Sequence, residues 1–236
     1  MKNTLLLLGL LFSIQYSIGQ ERITSFMYKD KGIDALTRTL SKLNGSLIFN
    51  AYTENYGDEM WLYNAQDSLK LLKDILTGSS SSFPDYQSSG FTEYNNEIYF
   101  IANDSVHGYE LWKTNGTETK IVHDVLKGKE SSTPSLVTIY NDYLYFVGST
   151  GDTYSLYKSD GTNLELVKDF GKNEYGVAYR ITELIPAENN LFIKIHNSNL
   201  WVSNGTDSGT KEIKKLYNIY ELKSIGNKLH FTGQET

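Results

Sequence analysis

The sequence predicts an all-β fold, a β-propeller-like array of four-stranded antiparallel blades with four full units and an incomplete fifth. The first indication is a pair of an apolar and an aromatic residue, whose aromatic members follow one another at intervals of 51, 45 and 44 residues. The pairs are Met60-Trp61, Leu111-Trp112, Leu156-Tyr157 and Leu200-Trp201. Turn residues in constant phase with these pairs are the second indication, and the lack of convincing helical periodicity is the third. A repeat of about 45 residues is typical of propeller blades.

Each unit contains four strand-length segments, which the third copy displays clearly. They are Leu136–Tyr140, Leu144–Val147, Ser155–Lys158 and Leu164–Val167. Branched and aromatic residues favour strands over helices in such short segments. The 18 Tyr and 10 Phe of the whole chain agree with this composition, and its 19 Gly supply turns.

Tight turns join the segments in two places. Between the first and second segments stand Asn44-Gly45, Asn95-Asn96, Asn141-Asp142, Asn189-Asn190 and Gly226-Asn227, all residues that accept the positive φ of short hairpins. Between the third and fourth stand Asn115-Gly116, Asp160-Gly161 and Asn204-Gly205. A meander places all of these turns on one face. The longer connections therefore lie on the opposite face, where a ligand site is expected.

The fourth segment ends in an aspartate in three copies, at Asp74, Asp124 and Asp169. A calcium site needs about 6 to 8 converging oxygens, and one carboxylate per blade supplies too few. These residues are therefore expected to brace nearby backbone through hydrogen bonds, and no metal site is predicted. The stretches 78–84 and 128–134 follow the first two aspartates in the same phase and are interpreted as equivalent connections between units.

Residues 1–19 have the features of a secretory signal peptide, with Lys2 at the basic end, an apolar run, and small residues before the cut. The mature protein then begins at Gln20 and forms a single domain over residues 20–236. Its units span roughly 31–75, 76–125, 126–170 and 171–217, with a partial unit at 218–236. The strand Ile23–Lys29 is expected to complete the last blade. Because only the strand with the Leu-Trp pair would then be missing, a truncated reading frame or a fragment is expected, with further units beyond Thr236 as an alternative.

Composition argues against several function classes. Without Lys2 the chain has 21 basic and 28 acidic side chains and no basic run of the kind that nucleic-acid binders carry. No later apolar run approaches the roughly 18 residues of a membrane span. The lack of cysteine excludes disulfides and a thiol nucleophile. The four histidines have no metal-ligand spacing, and no nucleophile elbow is present. No cofactor is predicted, and an enzyme is the less favoured class.

The segments Glu110–Thr117 and Leu200–Thr210 resemble the motif of the ELWxxDGT-repeat family of secreted bacterial proteins. Asn115 replaces the Asp of the motif, Asn199 replaces its Glu in the last copy, and Tyr157 replaces its Trp in the third. The resemblance covers roughly residues 30–236 and implies an exported, surface-associated or adhesin-like protein. Family members often carry a C-terminal secretion-sorting domain. An extracellular or cell-surface location is therefore implied, with the periplasm as the alternative if that domain is absent.

The leading hypothesis is a non-catalytic module that binds an extracellular glycan or protein through its loop face. Tyr52, Tyr56, His107 and Tyr109 are the predicted binding residues, because exposed aromatics suit both kinds of ligand. The recurring aromatics Trp61, Trp112, Tyr157 and Trp201 are expected to pack between strands or blades, and a sugar-stacking role is the alternative.

Two other functions are considered. A propeller glycoside hydrolase or lyase would need carboxylates that converge at the ring centre, and Glu93, Glu183 and Glu221 lie in or near first segments. Glu59 and Glu110 precede the aromatic in only two copies, so they are expected to be solvated edge residues. A structural spacer, the second alternative, predicts no dominant loop face. The oligomeric state is not predicted, although an unfinished blade exposes an edge that invites another strand.

Overall fold

Antiparallel sheets follow one another along the chain, each built from consecutive strands. A computed structural model describes residues 8–11, 22–28, 31–33, 39–64, 68–84, 90–216 and 218–234, the first three ranges as backbone only. Within these ranges lie four four-stranded sheets, one two-stranded sheet and one N-terminal three-stranded sheet. The predicted propeller-like fold with four full units and an incomplete fifth is thereby confirmed.

The four-stranded sheets are named blades 1 to 4, and the two-stranded sheet is named blade 5. Blade 1 contains β4 (Leu40–Leu43), β5 (Ser46–Thr53), β6 (Gly57–Asn64) and β7 (Ser68–Lys73). Blade 2 contains β8 (Thr92–Tyr94), β9 (Glu97–Asn103), β10 (Tyr109–Thr114) and β11 (Thr119–His123). Blade 3 contains β12 (Ser135–Tyr140), β13 (Tyr143–Ser149), β14 (Tyr154–Ser159) and β15 (Leu164–Asp169). Blade 4 contains β16 (Ile181–Ala187), β17 (Asn190–Ile195), β18 (Asn199–Ser203) and β19 (Lys211–Lys215), and blade 5 contains β20 (Asn218–Ile225) and β21 (Lys228–Gln234).

The hairpin between the first two strands has the predicted geometry, with two successive positive φ angles in each blade. One of the five predicted positions is wrong by one residue. In blade 4 the turn residues are Glu188 (φ 52°) and Asn189 (φ 57°), while Asn190 already pairs with Ala187 as the start of β17. The Asn190 amide nitrogen donates to the carbonyl of Glu188 at 2.9 Å, which stabilises the turn with a residue just outside it.

The N-terminal sheet contains β1 (Leu8–Leu11), β2 (Arg22–Tyr28) and β3 (Lys31–Ile33). The expectation that Ile23–Lys29 completes the last blade is wrong, because β2 pairs with β1 and β3 instead. These strands are close in sequence, so their pairing orders a shorter loop than a pairing with blade 5 would. The predicted signal peptide lies outside the described residues except for β1, and it stays a prediction.

The hydrophobic core is divided into clusters that lie between neighbouring blades. Trp112 of blade 2 packs in a cluster with Ile48 and Met60 of blade 1. Tyr157 of blade 3 packs with Tyr99 and Leu111 of blade 2. The recurring aromatic of the third strand thus faces the preceding blade, and removal of apolar surface from water couples each blade to the one before it.

Trp201 and Trp61 complete the set of recurring aromatics. Trp201 of blade 4 packs against the blade 3 cluster and meets Phe170 edge-on at 5.3 Å between ring centroids. Trp61 is fully buried in blade 1 beside Phe49 and Ala51, and its indole nitrogen donates to the carbonyl of Ala51 at 3.1 Å. All four aromatics therefore contribute to packing.

First strands lie next to first strands: β12 lies beside β8 and β16, and β16 lies beside β20. This arrangement places the first strands along the inner side of the array. Hydrogen bonds between hairpins reinforce it. The Tyr94 hydroxyl of blade 2 donates to the carbonyl of Asp142 in blade 3 at 2.5 Å, and the Tyr140 hydroxyl of blade 3 donates to the carbonyl of Asn189 in blade 4 at 2.6 Å.

A second set of contacts joins the fourth strands of blades 1 to 3 to residues that flank the Asn-Gly-Thr or Asp-Gly-Thr turn of the next blade. The residue before the fourth-strand aspartate makes this contact in three blades. Lys73 donates to the carbonyl of Thr119 at 3.3 Å, His123 lies 2.7 Å from the Ser159 hydroxyl, and Lys168 bonds to the Asp207 carboxylate at 2.9 Å. These hydrogen bonds thus join blades 1 to 4 to one another on the face that carries the tight turns.

Candidate binding face

The loops between second and third strands lie on the face opposite the tight turns. Two of them, at 54–56 in blade 1 and 104–108 in blade 2, contain or flank the predicted binding residues. Ser82, in the connection between these blades, joins their bases. Its N–H donates to the carbonyl of Asp58 at 3.1 Å, and its carbonyl accepts from the N–H of Asn103 at 2.9 Å. The backbone of Ser82 therefore links the two loop bases, which are neighbours on this face.

Tyr52 and Tyr56 differ in their environment. Tyr52 is 47% exposed at the end of β5, so its ring is accessible to a ligand. Tyr56 is half-buried, and its ring meets Trp61 edge-on at 6.4 Å between centroids. Its N–H donates to the backbone oxygen and the hydroxyl of Thr53, which closes the loop. Tyr52 is therefore the contact residue of this pair, while Tyr56 supports the loop.

His107 and Asp104 form an ordered polar pair in the neighbouring loop. The Nδ1 atom of His107 lies 2.7 Å from one carboxylate oxygen of Asp104, and the N–H groups of Val106 and His107 donate to the other. Burial raises the pKa of Asp104, but these hydrogen bonds outweigh it and hold the pKa below its ordinary value. The Asp104 carboxylate therefore stays charged and fixes the orientation of the half-exposed imidazole.

Tyr109 contributes its backbone to the base of the same surface. Its N–H donates to the Ser131 hydroxyl oxygen at 2.8 Å, and its carbonyl accepts from the N–H of Thr133 at 3.1 Å. The side chain is half-buried. Among the four predicted residues, Tyr52 and His107 are thus the better placed for a ligand.

The expectation that Glu59 and Glu110 are solvated edge residues is wrong. Both side chains are fully buried. The Glu59 carboxylate accepts from the N–H of Leu76 at 3.0 Å and from the Ser82 hydroxyl at 2.8 Å. The Glu110 carboxylate accepts from the N–H of Ser132 at 2.9 Å and from its hydroxyl at 2.5 Å. Each glutamate anchors the connection to the next blade.

Burial perturbs the protonation of these two acids. Desolvation raises the pKa of Glu59 from 4.5 to about 7, although hydrogen bonds from Leu76 and Ser82 lower it in part. Desolvation also raises the pKa of Glu110, against the hydrogen bonds from Ser132. These are structural acids whose perturbed pKa has a packing origin, because the connection covers each carboxylate from solvent.

The other acids considered for catalysis or metal binding have separate environments. Glu183 forms an ion pair with Lys194 at 2.5 Å, whereas Glu93 and Glu221 are exposed. Each fourth-strand aspartate accepts from a glycine N–H: Asp74 from Gly78 at 3.4 Å, Asp124 from Gly128 at 3.4 Å, and Asp169 from Gly171 at 2.9 Å. In the part of the chain that the structure describes, no three His, Asp or Glu side chains are grouped to hold a metal ion.

No family model matches the sequence, and neither does any curated protein. Similar solved structures include a GH43 glycoside hydrolase engineered for endo-xylanase and exo-arabinofuranosidase activity, at 10% identity and a TM-score of 0.37 over 85% of this chain and 47% of that one. Putative TolB from Agrobacterium tumefaciens matches at 9% identity and 0.42, over 80% and 70% of the two chains. BamB from Moraxella catarrhalis matches at 8% identity and 0.40, over 88% and 70%. The chain spans about half the length of the hydrolase, and the likeness concerns the fold alone.

Among the residues that the structure describes, no helix has the length and apolar character needed to cross a membrane.

Proposed function

We propose that this protein is an exported, non-catalytic binding module that recognises an extracellular glycan through its loop face. One observation carries the proposal. Ser82 hydrogen-bonds to the bases of two neighbouring loops, one beside the exposed ring of Tyr52 and the other holding the oriented imidazole of His107. An aromatic ring next to fixed polar groups suits a sugar, whose apolar faces stack while its hydroxyls form hydrogen bonds. The resemblance of Glu110–Thr117 to the ELWxxDGT repeat supports export and a surface location.

The environment of the acids favours binding over glycoside hydrolysis. A hydrolase of that kind requires two carboxyl groups about 5 to 10 Å apart and accessible to the substrate. Glu59 and Glu110 are enclosed by their own connections, and Glu183 is neutralised by Lys194. These three carboxylates are therefore occupied in structural roles.

A glycan-array screen of the purified protein tests the proposal, with its monomeric state checked by light scattering. We expect a specific hit that Tyr52→Ala weakens by at least about fivefold, since stacking of an aromatic ring on a ligand is worth about 1 kcal/mol or more. Tyr143→Ala is the matched control, because Tyr143 is also partly exposed, at 38%, but follows a tight turn on the opposite face.

The two variants separate the outcomes. Equal loss of binding in Tyr52→Ala and Tyr143→Ala would contradict the assignment of the loop face. A folded monomer that binds no glycan but captures a protein through Tyr52 would move the proposal to a protein ligand on the same face.

A further inference from the structure

Three Asn-Gly pairs occur in the sequence, and the structure places them in two kinds of turn. Asn44-Gly45 forms the hairpin turn between the first and second strands of blade 1. Asn115-Gly116 and Asn204-Gly205 lie in the turns between the third and fourth strands of blades 2 and 4. The same dipeptide therefore has different surroundings within one chain.

We propose that Asn44 is a site of spontaneous deamidation in the folded protein, and that the fold protects Asn115 and Asn204 from the same reaction. The modification needs no partner other than water. The site lies on the face of the tight turns, opposite the binding loops, and the inference does not depend on the proposed glycan binding.

The reaction proceeds through a cyclic imide. The Gly45 nitrogen attacks Cγ of Asn44, a C–N bond forms, and the side-chain nitrogen leaves as ammonia with the proton of the glycine N–H. Glycine favours this step because it has no side chain to hinder the approach of its nitrogen. Water then opens the imide at Cγ to give aspartate, or at the main-chain carbonyl to give isoaspartate. Isoaspartate lengthens the main chain of a two-residue turn, and turn length sets the register of the β4–β5 hairpin.

The surroundings of Asn44 leave it open to this reaction. Asn44 and Gly45 are exposed at the tip of the hairpin. Among the described residues, neither the Asn44 side-chain amide nor the Gly45 N–H has a hydrogen-bond partner. A Cβ added at Gly45 would meet no atom within 4 Å. Ring closure requires the backbone to leave the turn conformation, and such local opening costs little where few contacts hold a segment.

Hydrogen bonds within the turn hold the side chains of the other two asparagines. Asn115 Oδ1 accepts from the N–H groups of Thr117 at 2.9 Å and Glu118 at 2.8 Å. Asn204 Oδ1 accepts from the N–H of Thr206 at 3.1 Å and from its hydroxyl at 2.7 Å. Cyclisation would rotate each side chain out of this arrangement, so these bonds oppose it.

The attacking nitrogen is also engaged at both protected sites. The Gly116 N–H donates to the Thr114 hydroxyl at 3.1 Å, and the Gly205 N–H donates to the Ser203 hydroxyl at 3.0 Å. The preceding blade leaves little room at Gly205, where an added Cβ would lie 2.3 Å from the Tyr145 hydroxyl. Both reacting groups are thus restrained in these turns, whereas neither is restrained at Asn44.

Peptide mass spectrometry of the purified protein, incubated at mildly alkaline pH, measures the conversion of amide to acid at each site. Chromatography separates the isoaspartate and aspartate products. We expect Asn44 to convert at least about tenfold faster than Asn115 and Asn204, because two or more hydrogen bonds must break before ring closure at the protected sites. In protein unfolded with urea, the three sites should convert at similar rates, since the fold then protects none of them.

Thr114→Val removes the acceptor of the Gly116 N–H and should speed conversion at Asn115, with Asn204 as the internal control. Circular dichroism checks that this variant folds. Similar rates at all three sites in the folded wild type would overturn the proposal. The same conclusion would follow if the folded protein kept Asn44 intact for the time in which the unfolded protein converts it.

Discussion

Replacement of Glu59 by Gln should remove a pH-dependent loss of stability. Burial raises the pKa of Glu59 from its ordinary 4.5 to about 7, so the folded state binds a proton that the unfolded state has released between these values. A raised acid pKa means that stability falls as pH rises through this window. Each pH unit is worth about 1.4 kcal/mol, which gives a difference of about 3 kcal/mol between pH 4.5 and pH 8.

Glutamine suits this site because it keeps the hydrogen bonds without the charge. Its amide oxygen accepts from the Leu76 N–H, as the carboxylate does. The Ser82 hydroxyl lies 3.3 Å from the carbonyl of Asp58 and can donate there, which frees it to accept from the glutamine amide. The variant should therefore match the wild type at pH 4.5 and exceed its stability at pH 8.

The measurement is urea unfolding followed by tryptophan fluorescence at intervals from pH 4.5 to 8.5. Thermal unfolding at pH 8, measured in parallel, should give the variant a midpoint about 6 to 12 °C above that of the wild type, if about 3 kcal/mol acts on a chain of this size. Glu110→Gln should change stability in the same direction, since burial raises that pKa as well. Parallel stability curves for the wild type and Glu59→Gln across the whole range would refute the reasoning.

Three other predictions concern the contacts between blades. His123→Gln should flatten the acid limb of the stability curve, because burial lowers the pKa of His123 from 6.5 to about 4 and stability is therefore lost as pH falls through that window. In urea unfolding, Gly161→Ala should lower the free energy of unfolding by at least about 2 kcal/mol more than Gly45→Ala does. Both glycines have positive φ, but of the two only Gly161 lies against a tyrosine hydroxyl of the preceding blade. Equal losses would show that the close contact costs nothing. Tyr140→Phe should lower the free energy of unfolding by about 1 kcal/mol, because the hydrogen bond to the Asn189 carbonyl is lost. An unchanged free energy would show that this hydrogen bond does not stabilise the protein.

The repeat could be recognised in the sequence because its turns and strands depend on residues that are close together along the chain. Turn pairs such as Asn95-Asn96 require positive φ, and this requirement is met within a few residues of chain. The recurring aromatics could likewise be assigned to packing, because an aromatic in constant phase meets the same neighbours in every copy. Local rules failed only where a residue outside the turn contributed, as Asn190 does in blade 4.

The role of the buried glutamates was missed because it depends on a contact across 22 or 23 residues. One signal for it was present in the sequence. Glu59 and Glu110 occur in the two units whose connections share the stretch from glycine to proline, and each of these connections contains a serine in the same phase, Ser82 or Ser132. Ser155 and Asn199 replace the glutamate where that connection is lacking. The occurrence of the glutamate together with this serine connection in the same units was thus a better indication of a buried contact than the polarity of glutamate was of exposure.

The pairing of glutamate and serine also explains how neighbouring blades are connected. The residue before the glutamate position accepts a backbone hydrogen bond from the following connection in every complete blade. In blades 3 and 4 the donor, Phe170 or Leu216, comes directly after the fourth strand. In blades 1 and 2 several further residues stand between the fourth strand and the donor, which is Ser82 or Thr133. The buried carboxylate of Glu59 or Glu110 accepts hydrogen bonds from N–H groups in that intervening stretch. The glutamate therefore permits a longer connection without an unpaired backbone. After blade 1 that connection contains Ser82, which also fixes the base of the next loop. A substitution that loosens this anchor should disturb the loop face before it unfolds the blade, so the same carboxylate connects the stability of the repeat to the surface where binding is proposed.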